Sequence, residues 1–202
     1  LNAHQRTLRM RGRPKIVLAR SYEEAMSLYN KYSANMLGVI TDARFPREGQ
    51  VDPQAGIRLI EEIHKRDEYL PLILQSAESE NKVEALRLGV SFVDKNSKKM
   101  DVDLRETVSD NFGFGDFVFR NPHTGEEVVR IHNLKELQEN IFTIPHELLL
   151  HHISRNHGSR WLYSRAMFPV AEFLKEITWK SLDDVDVHRQ IIFEAIVKYR
   201  KM

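Results

Sequence analysis

The chain contains no cysteine, which excludes a disulfide framework, a thiolate metal site and a cysteine nucleophile, and is compatible with a reducing cytoplasm. It also lacks any apolar run near the roughly 18 residues that a membrane helix needs. Its basic start is not followed by an apolar core, so neither a membrane span nor a signal peptide is expected. Charge of one sign is missing too: 30 Lys and Arg against 29 Asp and Glu leave a net charge of +1. That balance gives no general attraction to nucleic acid or to an anionic membrane, and neither is expected as a partner. What remains is 202 residues, 42% apolar and 29% charged, the composition of an ordinary globular protein with one large or two small cores.

As far as about Asn111, strand-like and helix-like patterns alternate, which predicts parallel βα units packed on a sheet. Lys15 to Ala19 reads as a strand. Ser21 is placed to cap a helix running to about Lys31. A second helix is predicted over Ala55 to Arg66, with Ile57, Leu59, Ile60 and Ile63 on its inner face. A third spans Glu80 to Leu88 and stops at Gly89, the residue best able to take a left-handed capping conformation.

Three strand-like runs end on residues with chemistry. Leu37 to Thr41 leads into Asp42, Leu72 to Gln75 into Ser76, and Val90 to Asp94 into Lys95. Ligand sites of doubly wound folds collect at the carboxyl edge of the sheet, so a carboxylate, a hydroxyl and an ammonium would converge there. A strand-terminal Asp alone would more simply cap a loop. Asp42 with Ser76 and Lys95 in this order points to a site.

That order, with Pro46 four residues after Asp42 and Gly56 opening an amphipathic helix, resembles the receiver domain of two-component response regulators. The resemblance covers roughly residues 13 to 110 and passes over an insertion from Arg47 to Ala55. It implies an α/β, flavodoxin-like sheet of order 2-1-3-4-5, with Asp42 as the phosphoryl acceptor, Ser76 turning to bond the phosphoryl group and Lys95 pairing with its charge. It implies a sensor histidine kinase as partner. It also implies Mg²⁺, held by Asp42, by the backbone carbonyl of Arg44 and by an acidic pair at the end of the first strand. By the family's spacing that pair falls before Leu1, and nothing in the chain replaces it. Lys15 to Ala19 would then be the second strand, with the first absent. Asp94 beside Lys95, and Asn96 where receivers usually carry proline, are further departures. A degenerate receiver acting only in protein interaction or dimerisation is therefore an alternative. A sheet lacking its central strand leaves backbone groups unpaired, so self-association into a dimer is expected.

Another use of a strand-end Asp with a Ser and a Lys is a small phosphatase of haloacid-dehalogenase type. That chemistry needs a second Asp two residues on, where Arg44 stands. A DNA-binding response regulator would need a basic recognition helix, whereas the pattern from Asp183 to Met202 is mixed in charge. Arg11-Gly12-Arg13-Pro14-Lys15 matches the core of a minor-groove AT-hook, but reads better as a basic turn before the apolar run that follows.

The pattern changes at residues 111 to 115. The expected division is a receiver-like domain over residues 1–111 and a hairpin plus mainly α-helical domain over 112–202. Asp116 to Arg120 and Glu126 to Arg130 predict a β-hairpin across a glycine-containing turn. Helices follow at Asn133 to Asn140, Pro145 to Ser154, Ser159 to about Ile177, and Asp183 to Met202. Of the clustered histidines, His146 and His151, and likewise His152 and His157, are five apart, which places them on different helix faces and disfavours a metal site. The run His152 to Leu162, of the form His-x-x-Arg-Asn-His-x-Ser-x-Trp-Leu, resembles a signature of a helical module linked to receiver-like domains in phosphoenolpyruvate synthase-related proteins. In it, Ser159 is placed to cap a helix beginning at Arg160, and Trp161 to anchor the module's core. The resemblances together imply a cytoplasmic regulatory segment of a larger enzyme. No motif here would itself catalyse phosphoenolpyruvate chemistry.

Overall fold

The computed structural model describes residues 14–176 and 185–201. The AT-hook-like residues before Pro14 and the ends of the helices expected at 159–177 and 183–202 lie outside them. Along the chain the described residues divide into two compact units, Pro14–Phe112 and the residues from Gly113 on.

The first unit is α/β. Ser21 caps α1 (Tyr22–Tyr32), its hydroxyl accepting the Glu24 N–H at 3.2 Å. Strands β1 (Val39–Asp42), β4 (Leu72–Ser76) and β5 (Ser91–Asp94) make a parallel sheet of order β1-β4-β5. Between β1 and helix α2 (Ala55–His64) the insertion folds as a small antiparallel hairpin, β2 (Phe45–Arg47) with β3 (Gln50–Asp52). Asp52 closes it, accepting the Gln54 N–H at 2.8 Å and pairing with Arg58 at 3.2 Å. That backbone bond, ahead of the two arginines nearby, lowers the Asp52 pKa.

Helices cover both sheet faces, as a parallel sheet requires. On one face Ile57, Leu59, Ile60 and Ile63 of α2 pack with Tyr29, Leu72, Leu74 and Ala85, the last from α3 (Glu80–Arg87). On the other, Ile73, Val93 and Phe112 pack with Leu104 and Val108 of α4 (Met100–Asn111). Gly89, just past α3, takes φ +67.

The strand expected at Lys15 to Ala19 does not form. Those residues carry no regular secondary structure, and Ile16 is 98% exposed. An extended segment becomes a strand only through ladder bonds to a neighbour. Among the described residues β1 pairs with β4 alone, so the segment has no such neighbour.

The second unit opens with an antiparallel hairpin, β6 (Phe117–Arg120) and β7 (Glu127–Ile131), with an irregularity at Phe119/Arg120. Helices α5 (Leu134–Asn140), α6 (His146–Ser154), α7 (His157–Tyr163), α8 (Phe168–Glu176) and α9 (Val185–Lys201) follow. The single helix expected from Ser159 is thus two. The chain breaks at Ala166, whose φ of +59 is incompatible with a continuing right-handed helix.

Candidate functional site

Asp42, Ser76 and Lys95 lie together because β1, β4 and β5 run in register and end at one edge. Asp42 pairs with Gln75, and Ser76 with Asp94. The Lys95 ammonium meets the Asp42 carboxylate at 2.6 Å, with the two side chains 34% and 46% exposed. The Lys95 N–H donates to the Ser76 carbonyl at 2.9 Å, which fixes the start of the loop after β5. The backbone is held just as closely on the α2 side. A Cβ on Gly56 would stand 2.0 Å from the Asp42 carbonyl oxygen, and the Gly56 N–H donates to the Ala43 carbonyl at 3.0 Å. Only glycine lets α2 start this near the end of β1.

Ser76 is buried, and its hydroxyl oxygen accepts the Glu78 N–H at 3.0 Å and the Asn81 side-chain amide at 2.9 Å. Arg44 pairs with Glu78 at 3.1 Å, joining the loop after β1 to the loop after β4. Asn96 donates to the Ala77 carbonyl at 2.7 Å, tying the loop after β5 to the same segment. These loops enclose a cavity of about 250 Å³ lined by Asp42, Arg44, Ser76, Ala77, Glu78 and Lys95 among others. A larger depression of about 550 Å³ lies between α3 and α4. Its lining is also polar, with Lys82, Asp103, Glu106 and Asp110, but it lies away from the strand ends, and the smaller cavity, which gathers Asp42, Ser76 and Lys95, is the candidate.

Mg²⁺, which the resemblance implies, does not fit the residues present. Asp42 is engaged by Lys95, and the nearby carboxylate, Glu78, by Arg44. No group of three acidic or histidine side chains able to hold a metal ion occurs among the described residues. Mg²⁺ is usually held by one or two carboxylates, with waters and substrate phosphate filling the rest of its octahedral shell, and here both nearby carboxylates are already turned to cations.

The second unit brings together residues that the spacing had separated. His152 and His157 meet Nδ1 to Nδ1 at 2.9 Å, with the His151 ring 5.1 Å from that of His152. They do so because α6 ends at Ser154 and Asn156, at φ +59, turns the chain before α7. The expectation of different faces applied helical spacing across this break, with His152 in α6 and His157 opening α7. The Arg120 N–H donates to His152 Nε2 at 3.0 Å. The Arg120 carbonyl lies 3.3 Å from the same nitrogen, so the backbone of one residue brackets the ring. Burial lowers the pKa of His152 to about 4 and that of His157 to about 3, so both are neutral. His146 lies apart and meets Asp186 at 3.2 Å. Ser159 lies inside α7 rather than at its cap, its hydroxyl donating to the Asn156 carbonyl at 3.0 Å. Trp161 is fully buried, stacks on Phe117 with centroids 5.7 Å apart, and donates to the Gly115 carbonyl at 3.2 Å. These are the contacts of a core anchor.

Sequence reasoning missed Asn81 and the Arg44–Glu78 pair, and marked Asn96 only as a departure rather than as the residue that ties its loop to Ala77. Asn81 reaches back to Ser76 along the same connection, while Asn96 and Arg44 find their partners on a neighbouring loop, and no spacing rule marks any of these contacts. Against models of known protein families, curated proteins and solved structures, the chain matches none.

Proposed function

We propose that the α/β unit is a receiver-like phosphoacceptor domain, the regulatory signal-transduction part of a larger, cytoplasmic phosphoenolpyruvate synthase-related protein. The observation that supports it most is the 2.6 Å contact of Lys95 with Asp42 across the strand that ends in buried Ser76. The order β1-β4-β5 corresponds to the 3-4-5 side of the flavodoxin-like order 2-1-3-4-5. In the proposed reaction a carboxylate oxygen of Asp42 attacks phosphorus, the bond to the donor's leaving group breaks, and an acyl phosphate forms. The donor would be a phosphohistidine of a sensor kinase. Lys95 neutralises the charge of the transferred group and Ser76 donates a hydrogen bond to it.

A second reading, an interaction module that accepts no phosphate, is favoured by the shortage of metal-holding carboxylates among the described residues. The two readings separate by intact mass after incubation with acetyl phosphate and Mg²⁺. For the protein in its full reading frame the first reading expects one phosphoryl group, lost in Asp42→Asn. For the 202 residues alone it expects none, because charge neutralisation is incomplete. Absence of the adduct in both would leave the interaction reading standing.

A further inference from the structure

We infer that Asn81 is a positioning residue that holds Ser76 as a one-way hydrogen-bond donor aimed into the Asp42–Lys95 cavity. The inference rests on the phosphoacceptor reading and names the device that readies its hydroxyl. A serine hydroxyl has one proton and two lone pairs. At Ser76 both lone pairs are occupied, by the Glu78 N–H at 3.0 Å and by Asn81 Nδ2 at 2.9 Å. The orientation of the Asn81 amide is set by a second neighbour. The same atom stands 3.4 Å from Glu78 Oε2, an acceptor-only carboxylate, so it must be the nitrogen. Asn81 is buried at 8% exposure on the first turn of α3, and Ser76 at 6% at the end of β4. Neither is an accident of surface rotamers.

With both lone pairs taken, the hydroxyl proton alone is left to bond, and no acceptor for it is found among the described residues. Ser76 lines the cavity shared with Asp42 and Lys95. What completes its bonding is an acceptor in that space, an oxygen of a phosphoryl group on Asp42. Without Asn81, a lone pair is released, the hydroxyl is free to rotate, and the donor is no longer prepaid in orientation. An aspartate at position 81 would reverse the polarity by offering an acceptor of the same shape.

The test is beryllofluoride with Mg²⁺ as a phosphoryl mimic on the full-reading-frame protein, followed by ¹⁹F NMR, with thermal unfolding to confirm that each variant folds. Asn81→Ala and Asn81→Asp are each compared with the parent and repeated in a Ser76→Ala background. The expected result is at least about a tenfold weaker affinity for both variants, from loss of an oriented hydrogen bond to a charged group. In the Ser76→Ala background the same substitutions should change affinity less than about twofold, because Asn81 acts through the hydroxyl. Undiminished affinity in Asn81→Ala and Asn81→Asp would overturn the inference and leave the Asp42 reading intact. So would an equal loss with and without Ser76, which would mark Asn81 as merely structural or electrostatic. A parent protein that binds no beryllofluoride would overturn the phosphoacceptor reading itself, and this inference with it.

Discussion

Lys95 Nζ stands 2.6 Å from Asp42 Oδ1 although their strands are not neighbours, because β4 lies between β1 and β5. The ion pair spans the end of the strand that carries Ser76. Both side chains remain more than a third exposed, and exposed pairs of this kind contribute about 0–1 kcal/mol to stability. The contact therefore contributes little to holding the fold, and its role under the proposed function is in the phosphoacceptor site.

From that follows the first expectation. Asp42→Asn should shift the unfolding free energy by less than about 1 kcal/mol, measured by urea titration with circular dichroism. A loss of about 3 kcal/mol or more would mean that Asp42 serves the fold.

The approach of α2 to β1 gives an opposite expectation at Gly56. A methyl there would enter the Asp42 carbonyl at 2.0 Å, against backbone that cannot swing aside. Gly56→Ala should cost about 3 kcal/mol or more, at or beyond the upper end of overpacking penalties. A near-neutral result in the same titration would show that the end of β1 is looser than described.

The histidine pair predicts a pH dependence in the second unit. Burial depresses both pKa values below the ordinary value of about 6.5, to about 4 for His152 and about 3 for His157. The unfolded chain then takes up protons first. Stability is full above about pH 6.5 and falls as the pH drops toward 4, by up to about 1.4 kcal/mol per pH unit for each histidine. Both tryptophans, Trp161 and Trp179, belong to this half of the sequence, so fluorescence-detected unfolding at pH 7 and pH 5 reports on it. His157→Gln should flatten the difference by about one proton's share, and an unchanged slope would show that the pair is not the origin.

Self-association is the fourth expectation. β1 has one unpaired edge among the described residues, while Val17 and Leu18 are 55% and 73% exposed beside Ile16. Apolar surface left in water costs about 25 cal/mol per Å², and an open strand edge is a template for pairing. Sedimentation equilibrium of the 202-residue chain should show a dimer. A monomer across micromolar concentrations would contradict this.

Much of the first unit was legible in the sequence because its signals are local. Apolar runs that end on Asp42, Ser76 and Lys95 mark strand ends, Ser21 marks a helix start, and Gly89 a helix stop. Lys15 to Ala19 has the same apolar character but depends on a neighbour that propensity cannot supply. In the second unit the failures are also non-local. The left-handed turn at Asn156, a residue type that tolerates this conformation, breaks helical periodicity and places His152 against His157, while the one at Ala166 falls on a residue with no turn signature. The Arg44–Glu78 pair owes its position to two loops meeting, and Asn81 to the tight return of α3 onto the end of β4. The resemblance to receivers, which supplied the roles of Asp42, Ser76 and Lys95, remains a proposal that chemistry at one residue can decide.

The most direct measurement is therefore the location of the phosphoryl group. The full-reading-frame protein is treated with acetyl phosphate and Mg²⁺, then reduced with borohydride, which converts an aspartyl phosphate to homoserine, and digested for peptide mass spectrometry. The account predicts homoserine at position 42 and at no other aspartate, absent when acetyl phosphate is omitted. Modification at another residue, or an unmodified Asp42 after full treatment, would contradict it.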